Sequence, residues 1–262
     1  MQKNNVINIG RQAMRPSRFF VMLNKVRHRF ATQKGRHSIN ENLKWLEDNC
    51  IDLKEFAMSL DAKLWREAEL VSELLEKRAS GILDSIEYEL GGGGAYPFLH
   101  FITRYIEPDT IVETGVAAGF SSSAFLSAIK ANGRGKLFSS DFPYFRIPNP
   151  EKYIGIVVEE KLRDGWELYI EGDKNNIPQI LSNTNEIDIF HYDSDKSYSG
   201  REFAVSSVIG SLSSRAVLIM DDIQDNSFFY DYVEDTKPES WHVFKFLGKY
   251  VGIAGKLTRR ST

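Results

Sequence analysis

Five ionisable side chains in two short stretches have the types and spacing to do chemistry. "HYDSDKS" (191–197) presents Asp193, Asp195 and Lys196 within four positions, and "AVLIMDDIQDN" (216–226) ends an apolar run in two adjacent carboxylates, Asp221 and Asp222. One acid at a strand end is a common cap or turn residue. Two side by side repel, so each must be solvated, paired or bound to something positive.

A second group lies in "VETGVAAGFSSS" (112–123). Gly115 and Gly119 let the backbone turn tightly after a strand and approach a ligand, ahead of a helix whose free N–H groups favour an anion. The spacing, E-x-G-x-x-x-G, departs from the G-x-G-x-x-G fingerprint and so disfavours a nicotinamide dehydrogenase. Asp141 ends the next strand, 22 residues after Gly119. An acid there is placed to accept hydrogen bonds from ribose hydroxyls, or it serves as a helix cap or loop acid. Asp173, in "EGD", closes a third strand and is available to an adenine amino group. The five histidines show no H-E-x-x-H or similar spacing, which argues against a zinc enzyme.

The elements that must position these residues are short apolar runs alternating with helical stretches from residue 110 onward. The runs are "TIVETGV", "KLFSSD", "WELYIEGD", "IDIFHYDS" and "AVLIMDD"; between them lie "SSSAFLSAIKANG", "PEKYIGIVVEEKLRDG", "NNIPQILSN" and "SGREFAVSSVIGSL". Such alternation predicts βαβ units: an α/β fold with a doubly wound, mostly parallel sheet. Asn149–Pro150 reads as a cap and first turn for the second helix. "HVFKFLGKYVGIAGKL" reads as an antiparallel strand pair turning at Gly248. Ligands of a doubly wound sheet bind beyond the carboxyl ends of its strands, where all the unusual residues fall.

Residues 38–94 read as a helical extension capped by Ser38, with Leu64, Ala68, Val71, Leu74 and Leu75 on one face. "GGGG" (91–94) breaks it, as a flexible hinge or a loop able to close over a ligand. The domain carrying the chemistry then spans 95–262. The length and the ordinary composition, 42% hydrophobic and 26% charged, suit one large domain with such an extension. No apolar run reaches the roughly 18 residues a membrane span needs. Cys50 is the only cysteine, so no intrachain disulfide forms and a reducing, cytoplasmic setting is expected. Residues 1–37 carry nine Lys or Arg and no acid, leaving 24 basic against 36 acidic residues elsewhere. This basic N-terminal arm could dock on an anionic membrane surface or an acidic partner, or lie on the chain's own acidic domain.

Over residues 95–255 the sequence resembles the class I S-adenosylmethionine-dependent methyltransferases. "VETGVAAGFSS" is similar to that family's first motif. The resemblance implies a Rossmann-like, seven-stranded sheet, with S-adenosylmethionine as cofactor. It assigns Glu113, Gly115, Gly119 and Ser121 to the cofactor's amino-acid moiety, Asp141 to its ribose and Asp173 to its adenine side. "HYDSDKS" and "IMDD" resemble the metal-dependent O-methyltransferases, both the catechol type and, more closely, the macrocin type acting on sugars and antibiotics. By that resemblance Asp193, Asp221 and Asp222 hold Mg2+ or Mn2+. Asp195 matches the base of the macrocin pattern and Lys196 that of the catechol pattern; Asp195 is favoured, because nearby acids raise a lysine's pKa.

The expectation is therefore an O-methyltransferase acting on a hydroxyl of a small polyhydroxylated, sugar-like or natural-product acceptor, with no nucleic-acid partner and with homo-oligomers open. The D-x-D motif alternatively suits a metal-dependent glycosyltransferase, and a non-catalytic binding protein could keep the same fold. The D-x-D reading explains neither the glycine turn nor the later acid pair, and retention of every expected acid argues against a non-catalytic protein.

Overall fold

The structure is a computed structural model, and it describes residues 35–260. Most of the basic arm lies outside the described residues, and with it the docking expectation. The first helix, α1 (Ile39–Asn49), begins as the sequence predicts. The Ser38 hydroxyl accepts from the Glu41 N–H while the Glu41 carboxylate accepts from the Ser38 N–H, a reciprocal capping box.

A two-residue strand, β1 (Cys50–Ile51), leads into the long helix α2 (Leu53–Leu83). The buried line on α2 runs through Trp65, Ala68, Ser72, Leu75 and Ala79, at i, i+3, i+7 spacing. The predicted face is therefore displaced: Leu74 is 67% exposed, and Leu64 and Val71 are only half-buried. Trp65 sets the rotation, meeting Phe101 of α3 (Tyr96–Ile106) edge-on at 5.9 Å.

The α/β part follows in order: β2 (Thr110–Thr114), α4 (Phe120–Asn132), β3 (Lys136–Ser140), β4 (Trp166–Tyr169), α5 (Asp173–Asn183), β5 (Ile187–Tyr192), α6 (Tyr198–Val208), β6 (Leu212–Met220), α7 (Phe228–Thr236), β7 (Ser240–Phe246) and β8 (Lys249–Gly255). These strands form one Rossmann-like sheet in the order β1-β7-β8-β6-β5-β2-β3-β4, parallel throughout except for β8. The sheet has eight strands where seven are expected. The eighth is β1, which pairs with β7 only through Cys50 and Ile51 and is too short to leave a periodic signal. β7 and β8 form the antiparallel pair, turning at Leu247–Gly248, both with positive φ.

From β2 the chain steps outward to β3 and β4, then returns to the other side of β2 for β5 and β6. That reversal leaves a crevice between the ends of β2 and β5, where doubly wound sheets bind ligands. β5 is buried at every position, because helices cover both faces of the sheet. On one face Phe98, Phe101 and Phe125 gather α2, α3 and α4; on the other, Leu46, Ile180, Val205 and Phe229 gather α1, α5, α6 and α7. No described helix is long and apolar enough to cross a membrane.

The predicted helix after Asn149–Pro150 does not form. Residues 150–165 hold two short 3-10 segments, Pro150–Tyr153 and Glu160–Gly165, and Asn149 makes no side-chain cap. Gly155 between them takes a φ of +65°, which ends helical propagation. The N–H groups of Gly155 and Val157 donate instead to the carbonyls of Ala117 and Ala118, so this segment lies on the glycine turn after β2.

Candidate active site

The turn from β2 into α4 takes its shape from two glycines. At Gly115 (φ +83°) a Cβ would lie 2.4 Å from the Asp193 carbonyl oxygen, so only glycine lets the ends of β2 and β5 come this close. At Gly119 (φ +101°) a Cβ would lie 2.8 Å from the Gly155 Cα. The Gly119 N–H closes the turn on the Val116 carbonyl at 2.8 Å. Ser121 is buried in the first turn of α4.

The other expected cofactor residues surround this turn at different depths. Asp141 bridges β3 to it, accepting from the Ala117 N–H at 2.8 Å and the Phe142 N–H at 2.6 Å. Asp173, at the start of α5, accepts from the Ser140 hydroxyl at 2.6 Å and from the Ser194 hydroxyl. Glu113 is fully buried beneath, accepting from Ser122 at 2.5 Å and Ser139 at 2.8 Å. With no exposed surface, it supports the turn from below.

The ends of β5 and β6 carry the acids. The ammonium of Lys196 sits between Asp193 and Asp222, bonded to the first and 2.8 Å from the second. Lys249, at the start of β8, reaches Asp222 from the other side at 3.0 Å. Asp222 holds a left-handed backbone, φ +53°, which turns its side chain toward both lysines. Burial works against its charge, yet the two ammonium groups prevail and hold the carboxyl down at about 2. Asp193 moves the opposite way despite Lys196: burial and the neighbouring Asp221 charge push it up to about 6. Burial likewise opposes the Lys196 charge, but Asp193 and Asp222 outweigh it and keep its pKa above the ordinary lysine value.

Asp221 makes its hydrogen bond elsewhere. Its Oδ2 lies 3.1 Å from Nε2 of His191, and the other ring nitrogen, Nδ1, lies 3.8 Å from the Glu113 carboxylate. Behind the acids, the fully buried Arg201 of α6 donates to the backbone carbonyls of Asp221 and Asp222, at 3.0 and 2.8 Å. Sequence reasoning missed His191, Arg201 and Lys249. The signal for His191 was present: a histidine inside "IDIFHY", an otherwise apolar strand buried at every position, must find a polar partner there.

Asp195 stands apart from the other acids. Its carboxylate accepts from the Ser197 N–H at 2.9 Å, and its side chain packs against Gly200, where a Cβ would lie 2.7 Å from the Asp195 Cβ. It therefore lies on the start of α6, while Lys196 points into the acid cluster. The four-glycine run is also part of the site. A Cβ on Gly94 would fall 1.6 Å from Oδ2 of Asp221, and the Gly91 N–H donates to the Tyr144 hydroxyl at 3.1 Å. Burial pushes up the Tyr144 pKa, as do the charges of Asp141 and Asp193.

Three carboxylates at two adjoining strand ends are the donor chemistry of a hard divalent cation. Two observations fit such an ion: among the described residues Oδ1 of Asp221 is buried without a hydrogen-bond partner, and an ammonium already bridges Asp193 and Asp222. Asp193, Asp221 and Asp222 are not drawn together as they stand. Among the described residues, the group whose donor atoms all lie within 4.8 Å of one another is elsewhere, at His37, Asp231 and Glu234. Withdrawal of Lys196 would release the Asp193 carboxylate, while Lys249 would still hold Asp222. A separate cavity, lined by Cys50, Trp65, Glu69, Glu73 and Glu76 among others, shares none of these residues.

Comparison with known proteins supports this architecture. Residues 112–223, from β2 through the acid pair, match the family model described as a methyltransferase domain. The O-methyltransferase TomG from Streptomyces achromogenes, involved in tomaymycin synthesis and solved with S-adenosylmethionine, superimposes with a TM-score of 0.53 at 14% identity, covering 70% of this chain and 89% of its own. An O-methyltransferase from Bacillus cereus, solved with S-adenosylhomocysteine, gives 0.52 at 14% identity, covering 71% and 90%. The curated proteins give no match. Residues 112–223 thus resemble a methyltransferase domain, and the chain shares its fold with O-methyltransferases solved with S-adenosylmethionine or S-adenosylhomocysteine.

Proposed function

We propose that the protein transfers a methyl group from S-adenosylmethionine to a hydroxyl of a small polyhydroxylated acceptor, sugar-like or natural-product in kind. The carrying observation is the placement of Lys196 between Asp193 and Asp222, on the loop adjoining the glycine turn. This sets an acid–base group and a carboxylate pair beside the crevice expected to take the cofactor. The turn at 115–119, with Asp141 and Asp173, would bind and orient the cofactor so that its sulfonium methyl faces the acids. Asp193, Asp221 and Asp222 would hold Mg2+ or Mn2+, which when bound supplies a Lewis acid for neighbouring substrate oxygens.

On this reading Lys196, rather than Asp195, takes the proton from the acceptor hydroxyl. The Asp195 carboxylate is engaged at the start of α6. A lysine among carboxylates is a poor base, because their charges hold its proton. Neutralising those charges would release that proton. Positioning of methyl donor and acceptor then supplies much of the rate.

The experiment is methyl transfer from labelled S-adenosylmethionine to a panel of vicinal diols, both catechols and sugars, with chelator and with added Mg2+. Transfer to a diol, lost with chelator and restored by Mg2+, supports the reading. Full activity after chelation removes its metal part, and failure to bind S-adenosylhomocysteine removes all of it.

A further inference from the structure

A second cluster of metal-ligating side chains lies outside the active site, where the chain enters α1. His37, just before that helix, brings Nε2 to 2.9 Å from Oε2 of Glu234 and 3.6 Å from Oδ1 of Asp231. Asp231 and Glu234 are three apart on α7 and so share one face of it. All three donor atoms lie within 4.8 Å of one another.

The cluster is built as metal sites are, with outer partners orienting the ligands. The His37 ring stacks on Tyr230 at 3.9 Å, and Tyr230 stacks in turn on Trp45, which fixes the imidazole's direction. Asp231 is 2% exposed. Its Oδ2 accepts from the Arg36 N–H at 3.0 Å, the Tyr198 hydroxyl at 2.8 Å and the Ser227 hydroxyl at 3.3 Å. Among the described residues its Oδ1, buried on the side of His37, has no hydrogen-bond partner. A buried carboxylate oxygen so placed calls for a positive partner. Arg36 supplies part of one: its guanidinium lies 3.9 Å from that oxygen and 3.4 Å from Glu234, but only 2.8 Å from Asp235. Half exposed, it can stay on Asp235 when Glu234 turns away.

We infer that His37, Asp231 and Glu234 form a binding site for a zinc-class divalent ion, separate from the active site. One imidazole and two carboxylates suit zinc, whose bonds to nitrogen and oxygen of about 2.0–2.1 Å place tetrahedral ligands roughly 3.3 Å apart. The observed 2.9 and 3.6 Å bracket that spacing. Two carboxylates and a neutral imidazole balance the ion's charge, and water completes the coordination. The ion would clasp the segment entering α1 to α7. Through the Tyr198–Asp231 hydrogen bond the clasp also bears on α6, which starts just after Lys196.

The test is titration of the full chain, stripped of metal by chelator, with Zn2+ by calorimetry and with Co2+ by visible absorption. The expected result is a site of micromolar affinity with the d–d bands of tetrahedral cobalt. His37→Ala and Glu234→Gln should each weaken it at least tenfold, about 1.4 kcal/mol or more. Asp222→Asn, at the other acid cluster, should leave it unchanged. Glu234→Gln keeps the side chain's shape, so a loss there does not reflect misfolding. No ion bound at 100 µM, or binding unaltered in both His37→Ala and Glu234→Gln, would overturn the inference and leave the cluster an ion-pair network only. Either result leaves the methyl-transfer reading untouched, since no residue is shared.

Discussion

Nε2 of His191 lies 3.1 Å from Oδ2 of Asp221, on a ring with no solvent exposure, and the opposite ring nitrogen faces Glu113. Burial disfavours the imidazolium, but the two carboxylates outweigh it and raise its pKa to about 10. The ring thus stands between one acid that supports the glycine turn and another expected to bind a cation, and both favour its protonated form.

This pairing has a pH signature. A histidine whose folded pKa is raised contributes stability that is fully present below its unfolded value of about 6.5 and lost as pH rises through the folded value. Urea denaturation of the wild type should therefore show stability falling between pH 7 and 10, by an amount on the order of a few kcal/mol. His191→Gln should be less stable at pH 7 and should lack that part of the decline. Lysine and tyrosine titrations are common to both proteins and cancel in the difference. Parallel curves would mean that the ring is not charged.

Gly94 offers a sharper perturbation of the same acid. A methyl group at that position would overlap Oδ2 of Asp221, so Gly94→Ala must displace either the glycine run or the carboxylate. Turnover should fall by roughly 100-fold, the usual effect of about 1 Å of misplacement at a reacting centre. The affinity for S-adenosylhomocysteine should stay within a few-fold, because the residues proposed to hold the cofactor lie on other strand ends. If turnover survives, the glycine run yields instead of the carboxylate, and the placement of Asp221 does not depend on Gly94.

The parts of this fold that were legible in the sequence are those written in local patterns. Ser38 and Glu41 signal a capping box by spacing alone, and the buried strands β2, β5 and β6 appear as apolar runs ending in acids. The residues Gly115, Gly119, Asp141, Asp193 and Asp222 could be placed at strand ends because a doubly wound topology dictates where such ends meet. What failed depends on contacts between distant segments. Residues 150–165 have helical composition, but Gly155 and Val157 find carbonyl partners on the glycine turn, and tertiary hydrogen bonds override propensity. The α2 stripe shifts by one position because Trp65, not Leu64, finds Phe101. Lys249 reaches Asp222 from a hairpin 27 residues further on, a distance no local motif reports.

The proposed cofactor site calls for a selective variant. A side chain at Gly119 would strike Gly155 and Val158, so Gly119→Val tests folding of the turn as much as cofactor space. Asp141→Asn is better. It keeps the volume but sets an amide against the N–H groups of Ala117 and Phe142. The wild type should bind S-adenosylhomocysteine in the micromolar range, about −8 kcal/mol. The variant should lose at least tenfold while its melting temperature moves little. Equal affinity would remove Asp141 from the site.

Lys196 and Asp195 divide the reading of the base. Lys196→Met should lower turnover by roughly 10²–10⁴-fold, the usual worth of a positioned base. Asp195→Asn should cost much less, because an asparagine oxygen can still accept the Ser197 N–H. The pH profile separates a base from a mere spacer. A base must be unprotonated to act, so wild-type kcat should rise with pH on a limb that Lys196→Met lacks. Asp193 and Asp222 hold the ammonium's pKa above the ordinary lysine value, which places that limb in the alkaline range while only carboxylates surround it. Added Mg2+ should shift the limb to lower pH, since a dication on those carboxylates cancels the charges that retain the proton. If Asp195→Asn is the more damaging change and the alkaline limb persists in Lys196→Met, the proton leaves by another route and Lys196 serves only to balance the acids.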